Sequence, residues 1–217
     1  MNKTIYFTRH GESIANAGGV TMEHNLIPLS DKGSQQAQLL AETLAIKPSQ
    51  VFVSELVRTQ QTAQPFCHKH QVSYQINPLL NEVHAISHEL IDGMIGEQRR
   101  PIAMAYWAEG DVTKRMGEHA DTFNEFRERV DGFINGMADL SDNTVIFGHG
   151  IWFGLLVWRL LGFDAHDKQG MLAFRRFQSG LPLSNCMTYA LHSNDGRHWS
   201  IEVHQTGRVD NAFLPTK

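Results

Sequence analysis

Three short runs of β-branched and aromatic residues, each followed along the chain by a helical repeat, constrain this chain more than any other feature. Residues 3–8 (Lys-Thr-Ile-Tyr-Phe-Thr) read as a strand, and a helix begins at Leu29-Ser30, where Leu39, Leu40, Thr43 and Leu44 recur at helical spacing and Ser30 is placed to cap. Pro48 closes that helix. Val51-Phe52-Val53 is then a second, buried strand, followed by a helical stretch over residues 56–70 and a third strand over residues 72–76. Further on, Val145-Ile146-Phe147 is a core strand that runs at once into the apolar helix 151–161. Alternation of this kind predicts right-handed parallel crossovers and an α/β fold with an open, mostly parallel sheet flanked by helices.

The remaining segments fit that frame. Phe123, Phe126, Val130, Phe133, Ile134 and Met137 repeat at three and four residues and predict an amphipathic helix over residues 121–140. Another helix is expected over residues 167–177, and two closing strands, 187–192 and 199–204, are joined by the turn Asn194-Asp195-Gly196. Residues 78–117, which hold Gly93, Gly96, Pro101 and Gly110, read as an irregular lid or specificity insert. The 217 residues suit a single domain, 1–217.

Composition narrows the classes of partner. A net charge of -4 offers no dense basic face, so nucleic acid and anionic lipid are not expected partners. The longest apolar run, 151–158, is broken by Arg159 and falls short of the roughly 18 residues that span a bilayer. Cys67 and Cys186 lack the spacing of a zinc site, redox pair or disulfide framework, which fits free thiols in a reducing cytoplasm. Nothing in the composition fixes an oligomeric state.

In an open parallel sheet, ligands bind beyond the carboxyl ends of the strands. Three segments stand there: Arg9-His10-Gly11-Glu12-Ser13, Ser54-Glu55-Leu56-Val57-Arg58-Thr59 and Gly148-His149-Gly150. Two guanidiniums, each able to offer two parallel donors, and two imidazoles suit a phosphate dianion and not a metal cage. Gly11 and the glycines flanking His149 would let backbone approach such a ligand, and a helix starting near Gly150 would aim free amides at its charge. The simpler alternative is that each histidine is a satisfied core residue and each arginine a solvated one.

Those segments resemble the histidine phosphatase superfamily, also called the phosphoglycerate mutase-like family. The run Arg9-His10-Gly11-Glu12-Ser13 carries most of the resemblance. It continues through Asn16, Leu29-Ser30 with Gly33 and Gln36-Ala37, then Ser54, Leu56, Arg58, Thr59, Thr62 and Ala63, and finally Glu82 and His149-Gly150. The resemblance implies that His10 is the nucleophile, that Arg9, Arg58 and His149 clamp the phosphate, that Asn16 is an accessory donor and that Glu82 donates the proton, with His84 as its local competitor. It also implies a three-layer α/β/α sandwich around a mostly parallel sheet, a small phosphorylated substrate and no metal or other cofactor.

A neutral imidazole is required for attack on phosphorus, and Arg9 and Arg58 are expected to hold the pKa of His10 down. The same arginines would stabilise the phosphoryl oxygens in the work that magnesium does elsewhere. Glu82 can serve as an acid only if burial beside substrate charge raises its pKa.

Other clusters invite weaker readings. His84, His88 and Glu89 have the spacing of a metal pair, and His68 lies near His70, but twelve histidines make such coincidences common. Arg99-Arg100 and Lys114-Arg115 in the insert could hold a second anionic group or be solvated surface. Trp152 and Phe153 could wall an apolar pocket or fill the core.

Three activities fit the resemblance: phosphomonoester hydrolysis, mutase-type transfer, or phosphate recognition without turnover. The glycolytic mutases resemble Glu-Arg-His-Tyr-Gly after the acid and carry an Asn-Ser pair after His-Gly. Here Glu82 precedes Val83-His84-Ala85-Ile86, and Gly150 precedes Ile151-Trp152. The substitutions remove the mutase's second anion site and favour hydrolysis, and retention of all the reactive residues disfavours a silent protein.

Overall fold

The computed structural model describes residues 2–205. Met1 and residues 206–217, which the single-domain expectation includes, lie outside the described residues. A six-stranded sheet with strand order β3-β2-β4-β1-β5-β6 forms the middle layer. Its strands are β1 (Lys3–Arg9), β2 (Gln50–Val53), β3 (Tyr74–Ile76), β4 (Thr144–Gly148), β5 (Thr188–Ser193) and β6 (Ser200–Gln205). The first four run parallel, and β5 and β6 add an antiparallel edge. Although β1 and β2 are successive strands, β4 lies between them, pairing Arg9 with Gly148 and Val53 with Phe147. All five residues of β4 are buried, as a strand at the centre of a sheet covered on both faces must be.

The period-2 alternation of the strands sorts their side chains into two cores. Val51, Val53, Val145 and Phe147 point to one face, where Leu40 and Ala41 of α1 (Asp31–Thr43), its C-cap Leu44, and Ala63, Phe66 and Cys67 of α2 (Val57–His70) cover them. Ile5, Phe7 and Ile146 point to the other. There they meet Phe126, Val130 and Phe133 of α4 (Phe123–Gly136), Trp152, Phe153 and Leu156 of α5 (Gly150–Leu160) and Phe174 of α6 (Lys168–Gly180). Helices on both faces of a mostly parallel sheet make the three-layer sandwich expected from the sequence. Trp152 and Phe153 are both fully buried and stack on Phe7, so they fill the core and do not wall a pocket.

Helix boundaries follow their caps. The Ser30 hydroxyl accepts from the Gly33 amide at 3.0 Å and donates to Glu12 Oε1 at 2.9 Å, tying the start of α1 to the segment after β1. Ser30→Ala is expected to cost about 1 kcal/mol of stability, read as a lower urea midpoint at unchanged m-value. Thr122 and Glu125 form a reciprocal capping box that starts α4 two residues later than the periodicity suggests.

The insert departs from expectation. Residues 78–117 contain a regular helix, α3 (Gly96–Glu109), besides two single turns of 3-10 helix. The glycines that read as breakers are its ends: Gly96 begins it, and Gly110 closes it in the left-handed region at φ 66°. Pro101 lies inside, at the cost of one backbone hydrogen bond. Tyr106 and Trp107 anchor the helix in the core beside Phe123 and Phe174. Among the described residues, no helix is long and apolar enough to cross a membrane.

Candidate active site

Because β1, β4 and β2 are adjacent and parallel, their carboxyl ends deliver His10, His149 and Ser54 to one rim. The rim opens on a cavity of about 620 Å³ whose lining includes Arg9, His10, Asn16, Arg58, Glu82 and Gly150. His149 is fully buried just behind this lining, its ring edge-on to His10 with centroids 5.2 Å apart. Every site residue expected from the sequence is thus brought to one place.

His10 is 4% exposed, and its amide donates to the Gly148 carbonyl at 3.0 Å, locking the turn that follows β1. Its Nδ1 lies 2.6 Å from the Gly11 carbonyl. A carbonyl can only accept, so Nδ1 carries the hydrogen, and Nε2 is left as a lone pair open to the cavity. The His10 pKa is held well below the usual histidine value, first by burial and then by Arg58 and Arg9. The arginines expected to do this work are secondary to desolvation.

Arg58 is the second residue of α2. Its Nη1 donates to the His24 carbonyl at 3.1 Å, and burial lowers its pKa to about 10, so it stays charged near neutrality. Arg9 donates through Nη1 to the Leu183 carbonyl, while its buried Nε has no partner among the described residues. Asn16 Oδ1 accepts from the Ser13 amide and from Asn185 Nδ2, both at 3.3 Å. The Ser54 hydroxyl meets His149 Nε2 at 2.8 Å and Thr59 Oγ1 at 2.9 Å, and it accepts from the Leu56 amide at 3.1 Å. His149 Nδ1 is buried and has no partner among the described residues, which makes it the ring's free atom. Burial, followed by Arg58 and His10, keeps this imidazole neutral as well.

Glu82 corrects one expectation. The first amides of α5 do not wait for a ligand: Ile151 N–H donates to Oε2 and Trp152 N–H to Oε1, each at 2.9 Å, and Val83 N–H adds 3.1 Å. Trp152 Nε1 also donates to the Leu79 carbonyl at 2.7 Å, fastening the segment that carries the acid over the helix start. Amides and the helix dipole favour the carboxylate, yet burial outweighs them and raises the Glu82 pKa. The glycines also act differently. A Cβ on Gly11 would lie 2.6 Å from the Gly33 carbonyl oxygen and one on Gly148 2.5 Å from the Phe7 ring, so both serve close packing. Gly150 alone of the three lines the cavity.

The insert contributes selectively. Arg99 of α3 lines the cavity and donates to Thr21 Oγ1 at 2.7 Å. Lys114 and Arg115 instead pair with Glu109 and Glu125, and Arg100 is exposed. His84 stacks on His24 with ring centroids 4.6 Å apart and 9° between planes, and burial lowers both pKa values. His88 bonds Asp92 at 2.9 Å, and no group of three or more metal-ligating side chains occurs among the described residues. His24, Asn185 and Arg175 line or brace the site without having been anticipated. His24 is one of twelve histidines and Asn185 has no local motif, whereas Arg175 could have been found as a charged residue four positions after Met171 and next to Phe174, on the inward-facing side of α6.

Comparison with known proteins agrees with this geometry. An alpha-ribazole phosphatase of Escherichia coli, described as putative, shares the fold with a TM-score of 0.74 at 24% identity, covering 94% of this chain and 96% of its own. The mycobacterial glucosyl-3-phosphoglycerate phosphatase superposes with a TM-score of 0.67 at 20% identity, covering 94% and 98%. In sequence, the adenosylcobalamin/alpha-ribazole phosphatase of Salmonella typhi is 30% identical over 164 residues, which are 74% of this chain and 81% of that protein. A probable phosphoglycerate mutase of Photorhabdus laumondii is 25% identical over 173 residues, covering 76% and 78%. The sequence profile of the histidine phosphatase superfamily (branch 1) matches residues 5–205, a span that holds the whole rim, and the chain belongs to that superfamily.

Proposed function

We propose that this protein is a phosphomonoester hydrolase that takes the phosphoryl group of a small phosphorylated substrate onto His10 Nε2. The observation that carries this reading is the His10 imidazole: buried, uncharged, tethered at Nδ1 by Gly11, and open at Nε2 to a cavity lined by Arg9 and Arg58. Residues 1–217 act as one domain in this reading, and two buried, unpaired cysteines suit work in a reducing cytoplasm.

In the first step the Nε2 lone pair forms a bond to phosphorus while the ester P–O bond breaks in line. Arg9 and Arg58 hold the equatorial oxygens. His149 adds a donor from Nδ1 when its Nε2 accepts from Ser54, and Asn16 and the Gly150 amide complete the cradle. The departing alkoxide takes the proton of Glu82. Water then attacks the phosphohistidine, gives its proton to the Glu82 carboxylate, and the P–N electrons return to Nε2. Glu82 suits this role better than His84, because a raised carboxyl pKa keeps a proton available while a lowered imidazole pKa removes one.

The relatives named as alpha-ribazole phosphatases support hydrolysis over transfer, and a cavity of about 620 Å³ suits a substrate much larger than phosphate itself. The test is phosphate release from p-nitrophenyl phosphate and a panel of phosphorylated metabolites in the presence of EDTA. Metal-independent release is expected. Silence on every phosphomonoester, or activity lost to EDTA and restored only by metal, contradicts the reading.

A further inference from the structure

Among the described residues, four arginines reach the cavity, and Glu82 is the only carboxylate in its lining. Arg9 and Arg58 belong to the phosphoryl cradle, and Arg99 binds the loop after β1 through Thr21 Oγ1 and the Ala15 carbonyl. Arg175 has no such assignment. It projects from α6, half-buried, with its guanidinium 4.8 Å from the centre of the Trp107 ring, and its Nη1 donates to Gln178 Oε1.

No carboxylate stands within ion-pair distance of Arg175 among the described residues. The acid whose field it feels is Glu82, which already has three amide partners. A half-buried guanidinium loses hydration, and stacking on Trp107 together with the Gln178 bond returns only part of it. The same two contacts fix the direction of the fork, so its remaining donors are organised before any ligand arrives. Arg176, the next residue, is exposed and does not line this cavity, as a solvated charge would not.

We propose that Arg175, steadied by Trp107 and Gln178, binds a carboxylate on the substrate at a distance from the phosphoryl group. A single fork supplies one positive charge and two parallel donors, which match a carboxylate. A second phosphoryl dianion would call for a pair of arginines like that beside His10. The sequence had lost the mutase residues that serve a second anion after Glu82 and Gly150, and α6 supplies a site from a different part of the fold. This inference rests on the hydrolase reading.

The experiment compares substrates that differ only in a carboxylate against a hydroxymethyl group: 3-phosphoglycerate with glycerol 3-phosphate, and 6-phosphogluconate with sorbitol 6-phosphate. Phosphate release is measured for the wild type, Arg175→Met and Arg175→Lys. In at least one pair the wild type is expected to favour the acid by roughly 10- to 100-fold in kcat/KM, mostly through KM. In Arg175→Met, which keeps the stem over Trp107, that ratio collapses toward one, and Arg175→Lys restores part of it. Turnover of the polyol phosphates falls only by the loss of a distant positive charge, and its survival reports a folded site. A ratio near one for both pairs in the wild type, or a preference that persists in Arg175→Met, overturns the Arg175 assignment and leaves the hydrolase reading standing. A wild type that hydrolyses none of the four, nor p-nitrophenyl phosphate, overturns both.

Discussion

His10→Ala is expected to lower the turnover of every phosphomonoester by on the order of ten-thousandfold or more, with the fold and phosphate affinity retained. The size of the loss follows from the double displacement: without Nε2 there is no first step, and the Arg9, Arg58 and His149 cradle can only hold the ester for direct attack by water. Retention of the fold follows from the position of the ring. Among the described residues its only hydrogen bond is local, to the Gly11 carbonyl, and it borders a cavity that can admit water to that carbonyl. Circular dichroism, calorimetric binding of inorganic phosphate and steady-state kinetics together check this. A variant that still binds phosphate and keeps more than about a tenth of wild-type turnover would remove His10 from the mechanism.

Glu82→Gln is expected to cost roughly 100- to 10,000-fold in kcat on alkyl phosphates. On p-nitrophenyl phosphate the loss should be about tenfold or less, because nitrophenolate departs without a proton. A merely structural Glu82 would lower both rates equally. The pH profile separates the roles further. Activity needs His10 unprotonated and Glu82 protonated; the His10 pKa lies well below 6.5 and that of Glu82 above 4.5. Turnover should therefore rise with pH as His10 loses its proton and fall as Glu82 ionises, with bound phosphate charge pushing the falling limb upward. Glu82→Gln should lose the falling limb and keep the rising one. The same substitution turns an amide NH₂ toward one backbone N–H of α5, so a stability loss of about 1–3 kcal/mol should accompany the kinetic one.

What the sequence revealed and what it hid divide along the range of the interactions involved. Strand placement and the gathering of His10, Arg58 and His149 were legible, because a period-2 run followed by a helical repeat fixes both the sheet and the side on which its loops meet. The α3 helix was hidden because Gly96 and Gly110 look the same in sequence whether they break a helix or bound one, and Pro101 argued for irregularity. Only the anchoring of Tyr106 and Trp107 against Phe123 and Phe174, residues on other helices, decides the matter. Glu82 was legible as an acid, but its hold on the α5 amides was not, since that contact joins residues 69 and 70 positions apart. The roles of Arg175 and of the stacked His24 and His84 are likewise set by packing between distant elements. Burial, as the leading cause of the His10 pKa, could not be weighed against the arginines until the ring had a place in the fold.

The claim beneath all of this is that an uncharged Nε2 of His10 takes the phosphoryl group, and trapping the intermediate tests it most directly. Enzyme mixed with ³²P-labelled substrate, quenched within its first turnovers and digested at alkaline pH should yield one labelled peptide. Its label should sit on His10, stable to base and released by acid. Label on serine, cysteine or another histidine, or no covalent label during rapid turnover, would contradict the account.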